Sequence, residues 1–292
     1  MKKILVLFNP ASHKATRWRH LIGEVRNILS SHGNEVEWIE TEAPGQSEQI
    51  AHQAHLMGYD IVVAMGGDGT VNEIVNGLAE TEIPIGVVPF GITNVFALEV
   101  GIPLNPIAAA WGVLNGKPHK FDLGKANGRK FMLMCGVGFD ALAVFHYYSK
   151  LKKFLNKYAY ILAGVKVFFK YPLRPLRVTI VDQNVELVGY QVIVANCASY
   201  GGRMKIAPGA RPDDGWLDVV VFESGKPLDV IRYVIGVIVG QHHRFSDVKF
   251  FKTKFVRIEG DAPYHLDSEP VGRLPLDVTI IPKAVNIILP RS

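Results

Sequence analysis

The chain has 292 residues, long for one compact domain and comfortable for two. Hydrophobic residues make up 48% and charged residues 20%, a balance that excludes a disordered or fibrous chain. The formal charge of +5 suits anionic ligands or an anionic surface, but it is too weak to imply nucleic acid, and no nucleic-acid partner is expected.

The first apolar run, Ile4 to Phe8, follows two lysines and is ended by Asn9-Pro10. It is shorter than a signal-peptide core and reads as a buried first strand. Up to about residue 120, strand patterns at 3–8, 35–39, 61–64 and 85–88 alternate with helical patterns near 17–30, 47–57 and 71–79. Short buried strands joined through helices predict an open parallel sheet, whose ligands sit beyond the strand C-terminal ends. Three polar turns follow such ends: Asn9-Pro10-Ala11-Ser12, the run from Gly66 to Asn72, and Pro89-Phe90-Gly91-Ile92-Thr93-Asn94.

The middle turn is the most informative. Gly66, Gly67 and Gly69 stand between an apolar strand and a helix patterned on Val71, Ile74, Val75 and Leu78. Glycines at such a turn let backbone N–H groups approach phosphate oxygens, with the helix N-terminus adding favourable partial charge. The turn is not a P-loop, because no lysine follows the last glycine before Thr70, and it fits a dinucleotide fingerprint poorly, since the third glycine would fall at Asn72. Asp68 is the discriminating residue. A carboxylate beside polyphosphate calls for a cation or a proton-transfer network, which points to phosphoryl transfer.

After Asp122 the texture changes. Strand patterns at 131–137, 177–181, 190–196, 217–222, 250–259 and 276–281, several with period-2 alternation, predict a mainly antiparallel second domain. Helical stretches near 142–169 and 227–239 interrupt it. The 142–174 stretch mixes aromatic residues with lysines such as Lys152 and Lys153, a composition that suits either an anionic bilayer surface or a helix packed on a core. No stretch approaches the ~20 apolar residues of a membrane span. Cys135 and Cys197 each lie in an apolar run and read as core residues, so a reducing cytoplasm is the default.

These motifs, taken in order, resemble the diacylglycerol kinase catalytic family, specifically bacterial lipid kinases related to sphingosine kinases. The resemblance covers nearly the whole chain. It rests on Asn9-Pro10, on GGDGTVNE at 66–73, on PFGITNVFA at 89–97 and on Phe121-Asp122-Leu123, followed by the 207–217 stretch and His265-Leu266-Asp267-Ser268-Glu269-Pro270. It implies an α/β nucleotide-binding domain over 1–122 and an antiparallel β-sandwich domain over 123–292, with the extreme C-terminus returning to the first. The implied activity is ATP-dependent phosphorylation of a membrane-lipid hydroxyl such as that of diacylglycerol, with Mg²⁺.

By that resemblance ATP contacts Asn9, Pro10, Ala11, Ser12 and His13, then Thr41, then Gly66, Gly67, Asp68, Gly69, Thr70, Val71 and Asn72, and finally Gly91, Ile92, Thr93 and Asn94. Glu269 is the first choice for the base, with Asp267 its rival, and Asp68 and Asp122 organise catalytic Mg²⁺. A second, structural Mg²⁺ is implied at Asp214 with the carbonyls of Arg211 and Trp216, although Asp214-Gly215 alone reads equally as a hairpin turn. The partners implied are a lipid at the membrane surface, met by peripheral contact, with a homodimer left open. The chain departs from the family pattern at His13-Lys14, at Ile92 to Val95 and at Ser268, where a glycine is usual. Two other readings therefore stand beside the lipid kinase: an NAD kinase-like phosphotransferase, and a non-catalytic lipid or nucleotide sensor.

Overall fold

A strand buried on both faces reads as a continuous apolar run, and Lys3–Phe8 (β1) is one, with Ile4 through Phe8 all buried. The computed structural model describes residues 1–12, 18–150, 173–202 and 204–291. The chain divides into two compact units. One comprises Met1–Leu123, Tyr200–Arg203 and Ile281–Ser292, and the other Gly124–Ser199 and Met204–Ile280.

In the first unit the chain runs through β1, α1 (Ile22–Leu29), β2 (Glu35–Glu40), α2 (Gln46–Ala54), β3 (Ile61–Gly66), α3 (Asp68–Leu78), β4 (Pro84–Pro89), α4 (Val95–Glu99) and α5 (Pro106–Asn115). The four strands pair in parallel in the order β2-β1-β3-β4. β2 is the edge, and its EVEWIE sequence carries three glutamates, charge that discourages pairing at an edge. α3 buries Val71, Ile74, Val75 and Leu78 and lies close against α2, where a Cβ on Gly77 would stand 2.5 Å from the Glu48 carbonyl oxygen. α5 starts where Asn105 Oδ1 accepts the N–H groups of Ile107 and Ala108, with Pro106 in the first turn.

In the second unit the elements are the end of β5 (Lys117–Ala126), β6 (Arg129–Phe131), β7 (Met134–Gly138), α6 (Phe139–Lys150), β8 (Leu176–Ile180), β9 (Val185–Gly189), β10 (Gln191–Ala195), the short β11 (Ser199–Tyr200) and β12 (Met204–Lys205), β13 (Leu217–Phe222), α7 (Pro227–Ile238), β14 (Val248–Thr253), β15 (Phe255–Glu259), β16 (Pro263–Leu266), β17 (Glu269–Arg273) and the start of β18 (Leu276–Leu289). One antiparallel sheet runs β14-β13-β10-β7-β16-β17. Its inner face meets β8, β15 and β18 through a single apolar core that includes Val137, Val194, Val219, Val178, Val256 and Val278. Two layers of antiparallel strands around one core make a sandwich.

β18 is longer than its apolar start implies, because it serves both units. Its first half pairs antiparallel with β15, while Asn286 and Ile287 pair parallel with β4. The period-2 signal fades at Pro282-Lys283, where the strand passes from one sheet environment to the other.

Candidate active site

The three polar turns of the first unit meet at the C-terminal ends of β1, β3 and β4. Asn9 donates its backbone N–H to Met65 O at 3.0 Å and its side-chain amide to Thr70 Oγ1 at 3.3 Å, which ties the first turn to the glycine loop. Its Oδ1 accepts the Ala11 N–H, closing the turn over Pro10. The glycine loop and the 91–94 turn press together so closely that a Cβ on Gly91 would stand 2.6 Å from Gly67 Cα. Asn94 shapes that turn from within: its side-chain amide accepts from Gly91 N–H and donates to Gly91 O, both at 2.9 Å, and its own backbone is left-handed (φ 45°). Thr41, buried just past β2, donates both its N–H and its hydroxyl to Phe8 O. Ile92 is exposed, and the buried Asn72 belongs to the first turns of α3. His13 lies outside the described residues, as do Lys152, Lys153 and most of the aromatic and basic stretch around them.

Asp68 is more committed than its motif suggests. Oδ2 accepts from Thr93 Oγ1 at 3.1 Å and Val95 N at 3.0 Å, and Oδ1 accepts from Phe96 N at 3.1 Å. It therefore caps α4 from a distance and clamps the 91–94 turn onto the glycine loop, a role no local pattern announces. Asp122 is buried on β5 and accepts the Lys283 N–H at 2.7 Å. Phe121 beside it packs edge-to-face on Phe96 of α4. Glu73 was missed as a site residue by sequence reasoning. Its two oxygens accept the N–H groups of Gly45 and Ser47, capping α2 from α3, and its position in the GGDGTVNE run was the available signal.

In the second unit the acidic motif forms a two-residue hairpin between β16 and β17. Asp267 and Ser268 both take positive φ, 48° and 68°, the turn geometry for which glycine is usual. The two acids are placed differently. Asp267 Oδ1 accepts from Leu133 N and Met134 N, both at 2.9 Å, and Oδ2 accepts from Met132 N at 2.7 Å. Both oxygens are thus engaged by N–H donors, so a proton on either would compete with a hydrogen bond. Glu269 has a side chain 30% exposed, and its carboxylate lies 3.5 Å from Arg129 Nη2. Beneath the turn, buried His265 accepts the Ser268 N–H on Nδ1 at 3.3 Å and meets Asp140 Oδ2 through Nε2 at 2.5 Å. Because Nδ1 accepts, Nε2 carries the proton and donates it to Asp140. Burial pushes the neighbouring Cys135 thiol pKa up, and the Asp267 and Asp140 carboxylates push it further, so this sulfur stays a protonated packing group.

Residues 3–126 match the family model described as diacylglycerol kinase catalytic domain, and residues 134–289 match the YegS C-terminal NAD kinase beta sandwich-like domain. A diacylglycerol kinase of Bacillus subtilis (strain 168) is 31% identical over 301 residues, covering 100% of this chain and 98% of that protein. The chain belongs to the diacylglycerol kinase family. A Staphylococcus aureus (strain MRSA252) diacylglycerol kinase is 28% identical over all of this chain and 93% of its own length. In fold, the crystal structure of a diacylglycerol kinase from Bacillus anthracis str. Sterne superposes with a TM-score of 0.73 at 21% identity, covering 99% of this chain and 97% of that one.

Membership in a kinase family implies ATP use, and the first unit fits a phosphate group. α3 has no side-chain cap at Gly67, which leaves the N–H groups of its first turn open to an anion. Ser12 Oγ is buried with no hydrogen-bond partner among the described residues, an orphan suited to a ligand oxygen. For Mg²⁺ near these loops, Asp68 retains acceptor capacity on Oδ1 after its three bonds, which suits a water-mediated contact better than direct ligation.

At the second Mg²⁺ position implied by the resemblance, a lysine already stands against the carboxylate. Asp214 Oδ1 accepts the Trp216 N–H at 3.0 Å, and Oδ2 accepts from the ammonium of Lys252 at 2.8 Å. Lys252 also donates to Asp218 Oδ2 at 3.1 Å and Gly209 O at 3.3 Å. Its charge offsets the Asp214 and Asp218 carboxylates. The Arg211 guanidinium meets Asp213.

Proposed function

We propose that this protein transfers the γ-phosphate of ATP to the hydroxyl of a membrane lipid such as diacylglycerol, as the names of its full-length relatives suggest for them. The observation that carries the reading is the convergence of the 9–12, 66–72 and 91–94 turns on one edge of the parallel sheet, with Asp68 holding two of them together. The first-turn N–H groups of α3 receive phosphate oxygens, and the Ser12 hydroxyl and Asn9 turn line the approach. Mg²⁺ brought with ATP neutralises phosphate charge, and Asp68 and Asp122 would hold it through water.

Glu269 takes the base role. Its carboxylate accepts the proton of the lipid hydroxyl, the hydroxyl oxygen forms the new P–O bond, and the bond to the β–γ bridging oxygen breaks with its electron pair leaving on ADP. Asp267, with both oxygens engaged by Met132, Leu133 and Met134, orients the turn that carries Glu269. The substrate is met at the membrane surface from the cytoplasm; no helix among the described residues is long and apolar enough to cross a bilayer.

The test is transfer of labelled γ-phosphate from Mg²⁺-ATP to a panel of lipid alcohols in detergent micelles, with NAD as a further acceptor and Glu269→Gln as control. Labelled lipid that disappears with the variant supports the reading and names the acceptor. Labelled NAD would move the protein to NAD phosphorylation. ATP binding with no labelled product from any acceptor would overturn catalysis in favour of a sensor.

A further inference from the structure

A helix apolar around its whole circumference is normally covered on every side. α7 reads Pro-Leu-Asp-Val-Ile-Arg-Tyr-Val-Ile-Gly-Val-Ile, with only Asp229 and Arg232 charged. One face is covered: Val230, Tyr233 and Gly236 are buried, Tyr233 packs on Phe222 and Phe245, and Gly236 lies so close to Phe245 that a Cβ there would stand 2.5 Å from its ring. The opposite face is bare. Leu228 is 80% exposed, Ile231 41%, Ile235 54%, Ile238 49% and Val239, just past the helix, 57%. At 100° per residue these five fall within about 100° of arc and extend roughly 16 Å along the axis.

Charge around the stripe is arranged with the same bias. Asp229 is held by Ser224 and Arg232, Asp247 by Arg232 and Tyr233, and Glu223 lies 3.8 Å from Lys249. That leaves Lys226 at the helix start and Arg244 beyond its end exposed, with no acidic partner among the described residues. An aliphatic stripe flanked by cations matches one leaflet of an anionic bilayer, where an apolar face enters the acyl boundary and cations at its ends meet headgroups. It matches a protein partner poorly. Protein interfaces concentrate aromatic residues, Met and Arg, and a stable dimer needs about 20–30 residues from each side.

We propose that α7 docks this protein on an anionic phospholipid bilayer, with Leu228, Ile231, Ile235, Ile238 and Val239 entering the acyl boundary and Lys226 and Arg244 meeting headgroups. The inference deepens the lipid-kinase reading by naming the surface turned to the substrate's bilayer, and rests on it only for the choice of lipid as occupant.

The full chain is tested by co-sedimentation with vesicles of phosphatidylglycerol and phosphatidylcholine, and of phosphatidylcholine alone. Leu228→Ser with Ile235→Ser is expected to weaken binding to the anionic vesicles at least about tenfold, from two lost apolar insertions. Lys226→Glu with Arg244→Glu is expected to abolish the preference for anionic vesicles. Ile235→Cys carrying an environment-sensitive fluorophore reports insertion directly by a blue shift, since both native cysteines are buried. Unchanged vesicle binding in the serine variant, or a probe indifferent to vesicles, overturns the proposal. So does a concentration-dependent dimer that the serine variant dissolves while vesicle binding persists. Turnover on detergent-dispersed lipid reports the reaction separately, so a failed kinase assay and a failed docking assay are distinguishable.

Discussion

His265 Nε2 stands 2.5 Å from Asp140 Oδ2, both groups buried, while the other ring nitrogen receives the backbone N–H of Ser268 from the turn that carries Glu269. Gly136 makes the pair possible, because a Cβ there would collide with both side chains. The tautomer set by Asp140 thus holds the turn. Asp140→Asn, which can present its own N–H to the ring and reverse that tautomer, is expected to lower kcat about 10- to 100-fold. His265→Gln should behave alike. Steady-state kinetics on both variants check this; KM for ATP should stay unchanged, since the nucleotide loops belong to the other unit.

The two acids of the 267–269 turn should separate experimentally. Asp267→Ala strands three backbone donors and is expected to cost about 2–4 kcal/mol of stability, read from the denaturant midpoint. Glu269→Gln is expected to leave the midpoint in place and reduce kcat by about 10²–10⁴-fold, the usual worth of a general base. The reverse pattern would exchange their roles.

Gly91→Ala should force apart the two loops that Asp68 clamps. The added Cβ meets Gly67 Cα and Asn94 Oδ1, both at 2.6 Å, and no flexible side-chain end is available to yield on the Gly67 side. A loss of about 1–3 kcal/mol in stability is expected, together with weaker ATP binding by calorimetry. Gly101→Ala is the comparison, since no atom crowds a Cβ there and only the positive φ is disturbed.

Lys252 stands where a cation is needed. Burial opposes its charge, but the hydrogen bonds it donates to Asp214 and Asp218 outweigh that and raise its pKa. The midpoint of thermal unfolding without nucleotide is therefore expected to be indifferent to Mg²⁺ or chelator. Lys252→Met should lower that midpoint and make it rise with Mg²⁺, as Asp214 and Asp218 lose their counter-charge. A native midpoint that falls on chelation would restore the divalent ion to this turn.

Acid stability offers a further check. Burial tends to raise the Asp247 pKa, yet the Tyr233 hydroxyl and Arg232 guanidinium outweigh it and hold it below the ordinary carboxylate value. A carboxylate depressed on folding contributes stability that is present above its unfolded pKa of about 3.9 and is lost as pH falls through the lower folded value. Asp247→Asn should flatten that acid limb in pH-dependent urea unfolding while lowering stability at neutral pH.

Much of the fold was legible because its signals are local. A continuous apolar run such as Ile4 to Phe8 reads as a strand covered on both faces, whereas the alternation of 250–259, which reads as one strand, is divided between β14 and β15, which break at Lys254 and join different sheets. The glycine loop was readable for the same reason: phosphate approach needs glycine at a strand-to-helix turn, whatever else the chain does. β18 was underestimated because its pattern changes midway, where it exchanges one sheet environment for another. The stretch 227–239 was recognised as a helix, but composition could not say which of its faces would be left bare.

The sequence by itself determined the two-domain α/β and β-sandwich architecture and the order of its acidic and glycine motifs, since periodicity and turn chemistry act over a few residues. Only the tertiary structure decided what each acid does. Asp68 caps a helix begun at Val95, Asp267 is held by donors at 132–134, and Asp214 is neutralised by Lys252. Those partners are remote in sequence. A carboxylate's role is set by the donors that fill its lone pairs, and the packing of distant strands and helices chooses those donors.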